Sequence, residues 1–303
     1  LKKHIQEVLN LELVDVDAIR NANFKVVVDG VNSTGGIFIP ALLKELEVEC
    51  IELYCEPNGQ FPHNPEPLKE HLTDISELVV KEQADVGIVV DPDVDRLALV
   101  CEDGSMFGEE YTLVACADYV LGKLGGGNTV SNLSSSRALR DVTEKHGGTY
   151  TASAVGEVNV VIKMKETNTV IGGEGNGGII LPASHYGRDS LVGVALFLSH
   201  MATTKISCKA LRESYPSYFM SKNKIQLTPQ IDVDKILEIM ATKYANEEVN
   251  TIDGVKIDFE SQWVHLRKSN TEPIIRIYTE SNSQLNADEL AERFITEIKE
   301  IIA

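Results

Sequence analysis

The feature that most constrains this chain is the alternation of short apolar runs with helix-length segments through its first 220 residues. Runs at 24–30 (FKVVVDG), 49–55 (ECIELYC), 85–90 (DVGIVV), 97–103 (LALVCED), 129–133 (TVSNL) and 149–153 (TYTAS) read as strands. The stretch 169–182 (TVIGGEGNGGIILP) reads as two short strands about a Gly-rich loop. Segments 37–47, 67–82, 108–124, 136–146 and 157–166 read as helices, and Asp189 caps another that runs to about 203. Parallel strands need a crossover long enough for a helix, so this order predicts α/β units with mainly parallel sheets.

After about residue 221 the order changes. A helix at 232–246 precedes three strands in close succession, DGVKIDFE, SQWVHLR and PIIRIYTE, and an amphipathic helix closes the chain from about 287 to 302. Clustered strands between helices predict an α+β domain with an antiparallel sheet. A chain of 303 residues is too long for one small core. We therefore expect two consecutive three-layer α/β domains, 1–104 and 105–220, of similar size and layout, followed by an α+β domain at 221–303.

Charge and composition exclude several functions. The net charge of −18 argues against a nucleic-acid partner, which needs a basic patch to displace counterions. A small anionic substrate stays compatible with it. No run of 18 apolar residues suggests a membrane span, and the N-terminal segment LKKHIQEVLNLELVDVDAIR has no signal-peptide h-region. The five cysteines are odd in number and form no CxxC, which reads as reduced thiols in a cytoplasmic protein.

One stretch carries chemistry. VVDPDVDRLALV (89–100) places Asp91, Asp93 and Asp95 at alternate positions just after an apolar strand, with Arg96 next. Three carboxylates that close repel one another, and a divalent cation with a taste for hard oxygen ligands cancels the repulsion. The bland alternative is a solvated acidic turn. An EF-hand is excluded because its sixth position needs Gly and holds Arg96, and because the flanks are strand-like. A phosphatase with an Asp nucleophile normally shows a Thr soon after Asp-x-Asp, and none follows here. Strand C-terminal ends are where α/β proteins place their sites, which favours the metal loop.

DPDVDR resembles the D-x-D-x-D-R metal loop of the α-D-phosphohexomutases, the family of phosphoglucomutases, phosphomannomutases and phosphoglucosamine mutases. Two further stretches agree with it. RKSNTEPIIRIYTE (267–280) is similar to the family's phosphate loop R-x-S-x-T-E-P, and Arg267, Ser269, Asn270 and Thr271 offer the donors to cradle a phosphate dianion. GGEGNGG (172–178) resembles the family's sugar loop G-E-x-S-G-H, with Glu174 in place, Asn176 for the usual Ser and Gly178 for the usual His. The Asn-Gly-Gly variant looks most like phosphoglucosamine mutases and archaeal-type members. Glu157, in VGEVNVVIKM, falls where the family contacts substrate and is the candidate general base.

The resemblance implies an isomerase that moves phosphate between O1 and O6 of a hexose or hexosamine phosphate through a bisphosphate and a phosphoserine. It implies Mg²⁺ on Asp91, Asp93 and Asp95, Arg96 against the transferring phosphoryl group, Glu174 and Asn176 on the sugar, and the 267–271 loop on the distal phosphate. The three loops are expected to share one cleft. The family's T-A-S-H-N-P serine loop is not found: TASAVG (151–156) lacks His-Asn-Pro and PHNP (62–65) lacks Ser. The expectation is therefore a chain covering the last three of four domains, without the N-terminal phosphoserine domain and inactive alone. The alternatives are a non-catalytic sugar-phosphate binding protein and a metal-dependent sugar phosphatase.

Overall fold

A computed structural model describes residues 1–228, 231–269 and 272–302. The chain divides into two compact units, one of Leu1–Ala152 with Gly156–Tyr215 and the other of Ser153–Val155 with Pro216–Ala303.

The first unit opens with helices α1 (Lys2–Leu9) and α2 (Val16–Ala22). Then come β1 (Lys25–Asp29), α3 (Gly35–Glu45), β2 (Glu49–Leu53), α4 (Thr73–Glu82), β3 (Val86–Val90) and β4 (Leu97–Cys101). After α5 (Glu109–Leu124) the cycle repeats as β5 (Asn128–Asn132), α6 (Ala138–Lys145), β6 (Tyr150–Ser153), α7 (Glu157–Glu166), β7 (Thr169–Glu174) and β8 (Gly178–Ile180). Helices α8 (Ser190–Thr204) and α9 (Cys208–Glu213) complete it.

The two sheets share one plan. Their strand orders are β2-β1-β3-β4 and β6-β5-β7-β8. In the first, β1 pairs in parallel with β2 and β3, and in the second β5 pairs in parallel with β7. Each ends in an antiparallel hairpin, β3–β4 and β7–β8. Strands β3 and β4 are buried at every position, on both of their faces, which is why they read as unbroken apolar runs. Helix α8 is buried from Ser190 to Ala202, as its apolar run on all sides requires. The outer strands of the two sheets meet end to end: Leu97 N donates to Gly177 O at 3.0 Å, and Arg96 and Gly178 form an antiparallel bridge.

In the second unit, β9 (Phe219–Gln226), α10 (Val233–Lys243), β10 (Glu248–Asn250), β11 (Val255–Asp258), β12 (Trp263–Lys268), β13 (Ile274–Ser281) and α11 (Gln284–Ile302) form one antiparallel sheet with two helices. Its order is β10-β11-β12-β13-β9. Ile225, Ile257, Val264, Leu266, Ile275 and Ile277 bury one sheet face against Met240, Leu290 and Phe294.

The expected class stands: mixed, mostly parallel α/β sheets followed by an antiparallel α+β sheet. Three local readings change. The helix expected over 67–82 is a 3₁₀ turn, Lys69–His71, followed by α4. The terminal helix begins three residues earlier than expected, at Gln284. The last sheet has five strands, because β9 and β10 were not anticipated.

Candidate functional site

The β3–β4 hairpin carries the acidic loop, and its shape follows from Asp91. This buried carboxylate accepts the backbone N–H groups of Asp95 and Arg96 on Oδ1, both at 3.0 Å. Those bonds wrap the loop into a tight turn, and Val94 takes up the left-handed conformation at φ 61°. A β-branched residue there is strained, and such strain persists only where the surroundings enforce it. Here Val94 is buried and its carbonyl accepts from Ser190 N at 3.2 Å. The hydroxyls of Ser33 and Thr34 hold the Pro92 carbonyl from the other side, at 3.0 and 2.5 Å.

Carboxylate oxygens of Asp91, Asp93 and Asp95 lie within 4.8 Å of one another. Burial pushes the Asp91 carboxyl up to about 6, with repulsion from Asp95 and Asp93 adding to it. Burial also raises Asp95, against the opposing pull of Arg188. Among the described residues the buried Oδ1 of Asp95 has no hydrogen-bond partner, and Arg96 Nε stands 4.0 Å from it. A converging set of hard oxygens, with one oxygen not hydrogen-bonded and with two of the carboxyls raised by burial, fits a divalent cation such as Mg²⁺. Arg96 stands at the same mouth, with Nε 3.5 Å from Asp91 Oδ2 and Nη1 3.7 Å from Glu66 Oε1.

The Gly-rich loop occupies the equivalent hairpin of the second sheet, β7–β8. Its Glu174 is buried, with both oxygens engaged. Oε1 accepts from Asn132 Nδ2 at 2.9 Å and from Gly156 N at 3.3 Å, and Oε2 accepts from Arg188 Nη1 at 3.2 Å. Ser135 supports the turn by accepting Gly175 N at 3.1 Å. The Asn176 side-chain oxygen turns back to accept Gly178 N at 3.2 Å, which leaves its amide nitrogen outside that turn. Gly177 is required at φ 88°, where a Cβ would lie 2.3 Å from the Leu97 carbonyl oxygen.

Arg188 joins the two loops. Besides Glu174, its guanidinium donates to Asp95 Oδ2 at 2.5 Å and lies 3.3 Å from Glu157 Oε2. Its backbone N–H donates to Glu157 Oε1 at 3.1 Å. Glu157, at the first position of α7, is thus held on both oxygens by one residue. The sequence reading took Asp189 as a helix cap. Asp189 does cap α8, accepting Leu191 N and Val192 N, but Arg188 went unassigned. Gly178 makes room for it: a Cβ there would sit 2.4 Å from Arg188 Cδ, so any larger residue would force the arginine to shift.

The third loop belongs to the second unit. Arg267 pairs with Asp253, Nε to Oδ2 at 2.8 Å, and Ser269 Oγ accepts from Glu272 N at 3.3 Å. Asn270 and Thr271 lie outside the described residues. Arg267 faces Arg276 directly across β12–β13, and Arg276 faces Lys224 across β13–β9. Like charges opposite one another are unfavourable in a sheet, and a bound anion relieves them. This row of three cations in a chain of net charge −18 was not read from sequence, because it exists only in the register.

Family models of the phosphoglucomutase/phosphomannomutase alpha/beta/alpha domain II, alpha/beta/alpha domain III and C-terminal domain match residues 2–104, 108–218 and 224–297. A phosphoglucomutase/phosphomannomutase of Thermococcus kodakarensis is 34% identical over all of this chain and 66% of its own length. A phosphoglucosamine/phosphogalactosamine mutase of Sulfurisphaera tokodaii is 30% identical over 96% of this chain and 64% of its own. The crystal structure of a phosphoglucomutase/phosphomannomutase family protein from Burkholderia thailandensis is similar at a TM-score of 0.81 and 27% identity, over 94% of this chain and 63% of that one. The chain spans just under two thirds of the length of these relatives.

Proposed function

The chain belongs to the phosphoglucomutase/phosphomannomutase family, and on that premise we propose that it provides the metal, sugar and distal-phosphate loops of a phosphohexomutase. The whole protein then transfers phosphate between O1 and O6 of a hexose or hexosamine phosphate. One observation carries the reading: Arg188 ties Asp95 of the acidic loop to Glu174 of the Gly-rich loop. Two segments about eighty residues apart in sequence therefore act as one site.

In this reading Asp91, Asp93 and Asp95 hold Mg²⁺. When bound, the ion supplies Lewis-acid polarisation of the transferring phosphoryl group. Arg96, pre-aimed across the loop, stabilises charge that develops on the phosphoryl oxygens. Glu174 and the amide nitrogen of Asn176 orient sugar hydroxyls. Glu157 is the candidate base, and to accept a proton it must release Arg188. Arg267, Ser269, Asn270 and Thr271 hold the phosphate that is not transferred, with Arg276 adding charge behind them.

No T-A-S-H-N-P occurs in residues 1–303, so the transfer needs a phosphoserine from outside them. Residues 1–303 alone are expected to bind hexose or hexosamine phosphates without interconverting them. Calorimetry with the 1- and 6-phosphates, in Mg²⁺ and in chelator, tests the binding. Glu174→Ala should abolish it, and Asp93→Asn should remove only its Mg²⁺-dependent part. Conversion of a 1-phosphate to a 6-phosphate by residues 1–303 alone would refute the serine-dependent mechanism. Phosphate release abolished by Asp91→Asn would favour a phosphatase instead.

A further inference from the structure

A second cluster lies outside these loops. Asp189 divides its two oxygens between two tasks. Oδ1 caps α8, accepting Leu191 N at 2.8 Å and Val192 N at 3.2 Å. Oδ2 receives two imidazoles at once, His4 Nε2 at 2.6 Å and His185 Nε2 at 2.9 Å. The three ligand atoms lie within 4.8 Å of one another. On the far side of the His4 ring, Glu7 Oε2 stands 3.9 Å from Nδ1.

We propose that His4, His185 and Asp189 form a site for a borderline transition ion of the Zn²⁺ class. Two imidazole nitrogens and one carboxylate oxygen are the donor set that such ions prefer, whereas the all-oxygen Asp91–Asp93–Asp95 set suits Mg²⁺. The accessory groups match as well. The carboxylate is oriented by helix N–H bonds through its other oxygen, the kind of support that metal-binding carboxylates carry. On binding, each Nε2 presents its lone pair and the ring proton resides on Nδ1, which at His4 faces Glu7.

Zn²⁺ holds ligand atoms at about 2.0–2.1 Å, so in a tetrahedral site they stand roughly 3.3 Å apart. The present 2.6 and 2.9 Å must widen by less than about 1 Å. His185, 45% exposed, has room to turn by that much, and the same open side admits water as a fourth ligand. The occupied site clamps α1, the first element of the chain, to the N-terminal end of α8, next to Arg188. It does not depend on the mutase reading.

The test is calorimetric titration of metal-stripped protein with Zn²⁺, with Mg²⁺ present to occupy the acidic loop, together with the visible spectrum of the Co²⁺ form. One equivalent should bind, give the bands of a four-coordinate N/O site, and raise the melting temperature. His4→Ala and His185→Asn should each weaken binding by more than about tenfold, as loss of a direct ligand requires. Asp93→Asn should leave it unchanged. The proposal is overturned if Zn²⁺ does not bind, if both histidine variants bind as tightly as the parent, or if only Asp93→Asn abolishes binding. Circular dichroism of each variant separates a lost ligand from a lost fold.

Discussion

Arg188 is the residue that holds the two loops of the first unit together. Its guanidinium, 14% exposed, serves Asp95, Glu174 and Glu157 together. Removing it leaves Glu174 buried with a lost counter-charge, a change that costs about 3 kcal/mol in comparable buried pairs. Arg188→Ala should lower unfolding free energy by that order in denaturant titration, and Arg188→Lys should rescue little, because a point charge cannot bridge three acids. Gly178 gives a sharper test. Gly178→His, which restores the family's usual residue, should destabilise as strongly. In Arg188→Ala it should cost far less, so the two changes should be non-additive in a double-mutant cycle. The grouping of the three aspartates was legible in the sequence because they sit on one local motif. Arg188, Asn132 and Ser135 were not, because their roles depend on which loop the fold sets beside them.

Among the elements, the strap after β2 makes a pH prediction. His63 Nδ1 lies 2.8 Å from the Asn64 carbonyl and Nε2 lies 3.0 Å from Asp29 Oδ2. Both neighbours accept only, so both ring nitrogens must donate and the bound form is the imidazolium. The Asp29 hydrogen bond accordingly raises His63 above its ordinary value. A raised folded value means stabilisation that is complete below the unfolded value of about 6.5 and is lost as pH climbs through the folded value. Amide exchange at 56–68 should therefore accelerate as pH rises above about 6.5, beyond the intrinsic trend, and His63→Gln should abolish the excess. Sequence revealed the buried strands and helices because apolar periodicity is a local property. Strand β9 (FMSKNKIQ) escaped because it is mostly polar and half-exposed, and only its pairing to β13 makes it a strand.

For the whole molecule, the likeness in size and layout of the α/β halves becomes a shared strand order, with a site loop on the closing hairpin of each sheet. That correspondence was half legible, since layout shows in sequence and sheet order does not. The second unit carries its own pH signature. His265 is buried, donates Nε2–H to the Asp253 carbonyl at 2.7 Å, and is pushed by burial down to about 4. A lowered histidine stabilises above its unfolded value and loses that contribution as pH falls from about 6.5 through about 4, a cost on the order of 3 kcal/mol. Acid unfolding followed at Trp263, the chain's one tryptophan, should show this loss, and His265→Gln should flatten it.

If the acidic loop holds a cation beside the sugar loop as proposed, a paramagnetic ion placed there must sense the bound phosphate. Mn²⁺ in place of Mg²⁺ makes that measurable through ³¹P relaxation of a bound hexose 1,6-bisphosphate. Strong Mn²⁺-dependent broadening of one phosphorus is expected, lost in Asp93→Asn and in Glu174→Ala. Bisphosphate binding with neither phosphorus broadened, or broadening that survives Asp93→Asn, would contradict it.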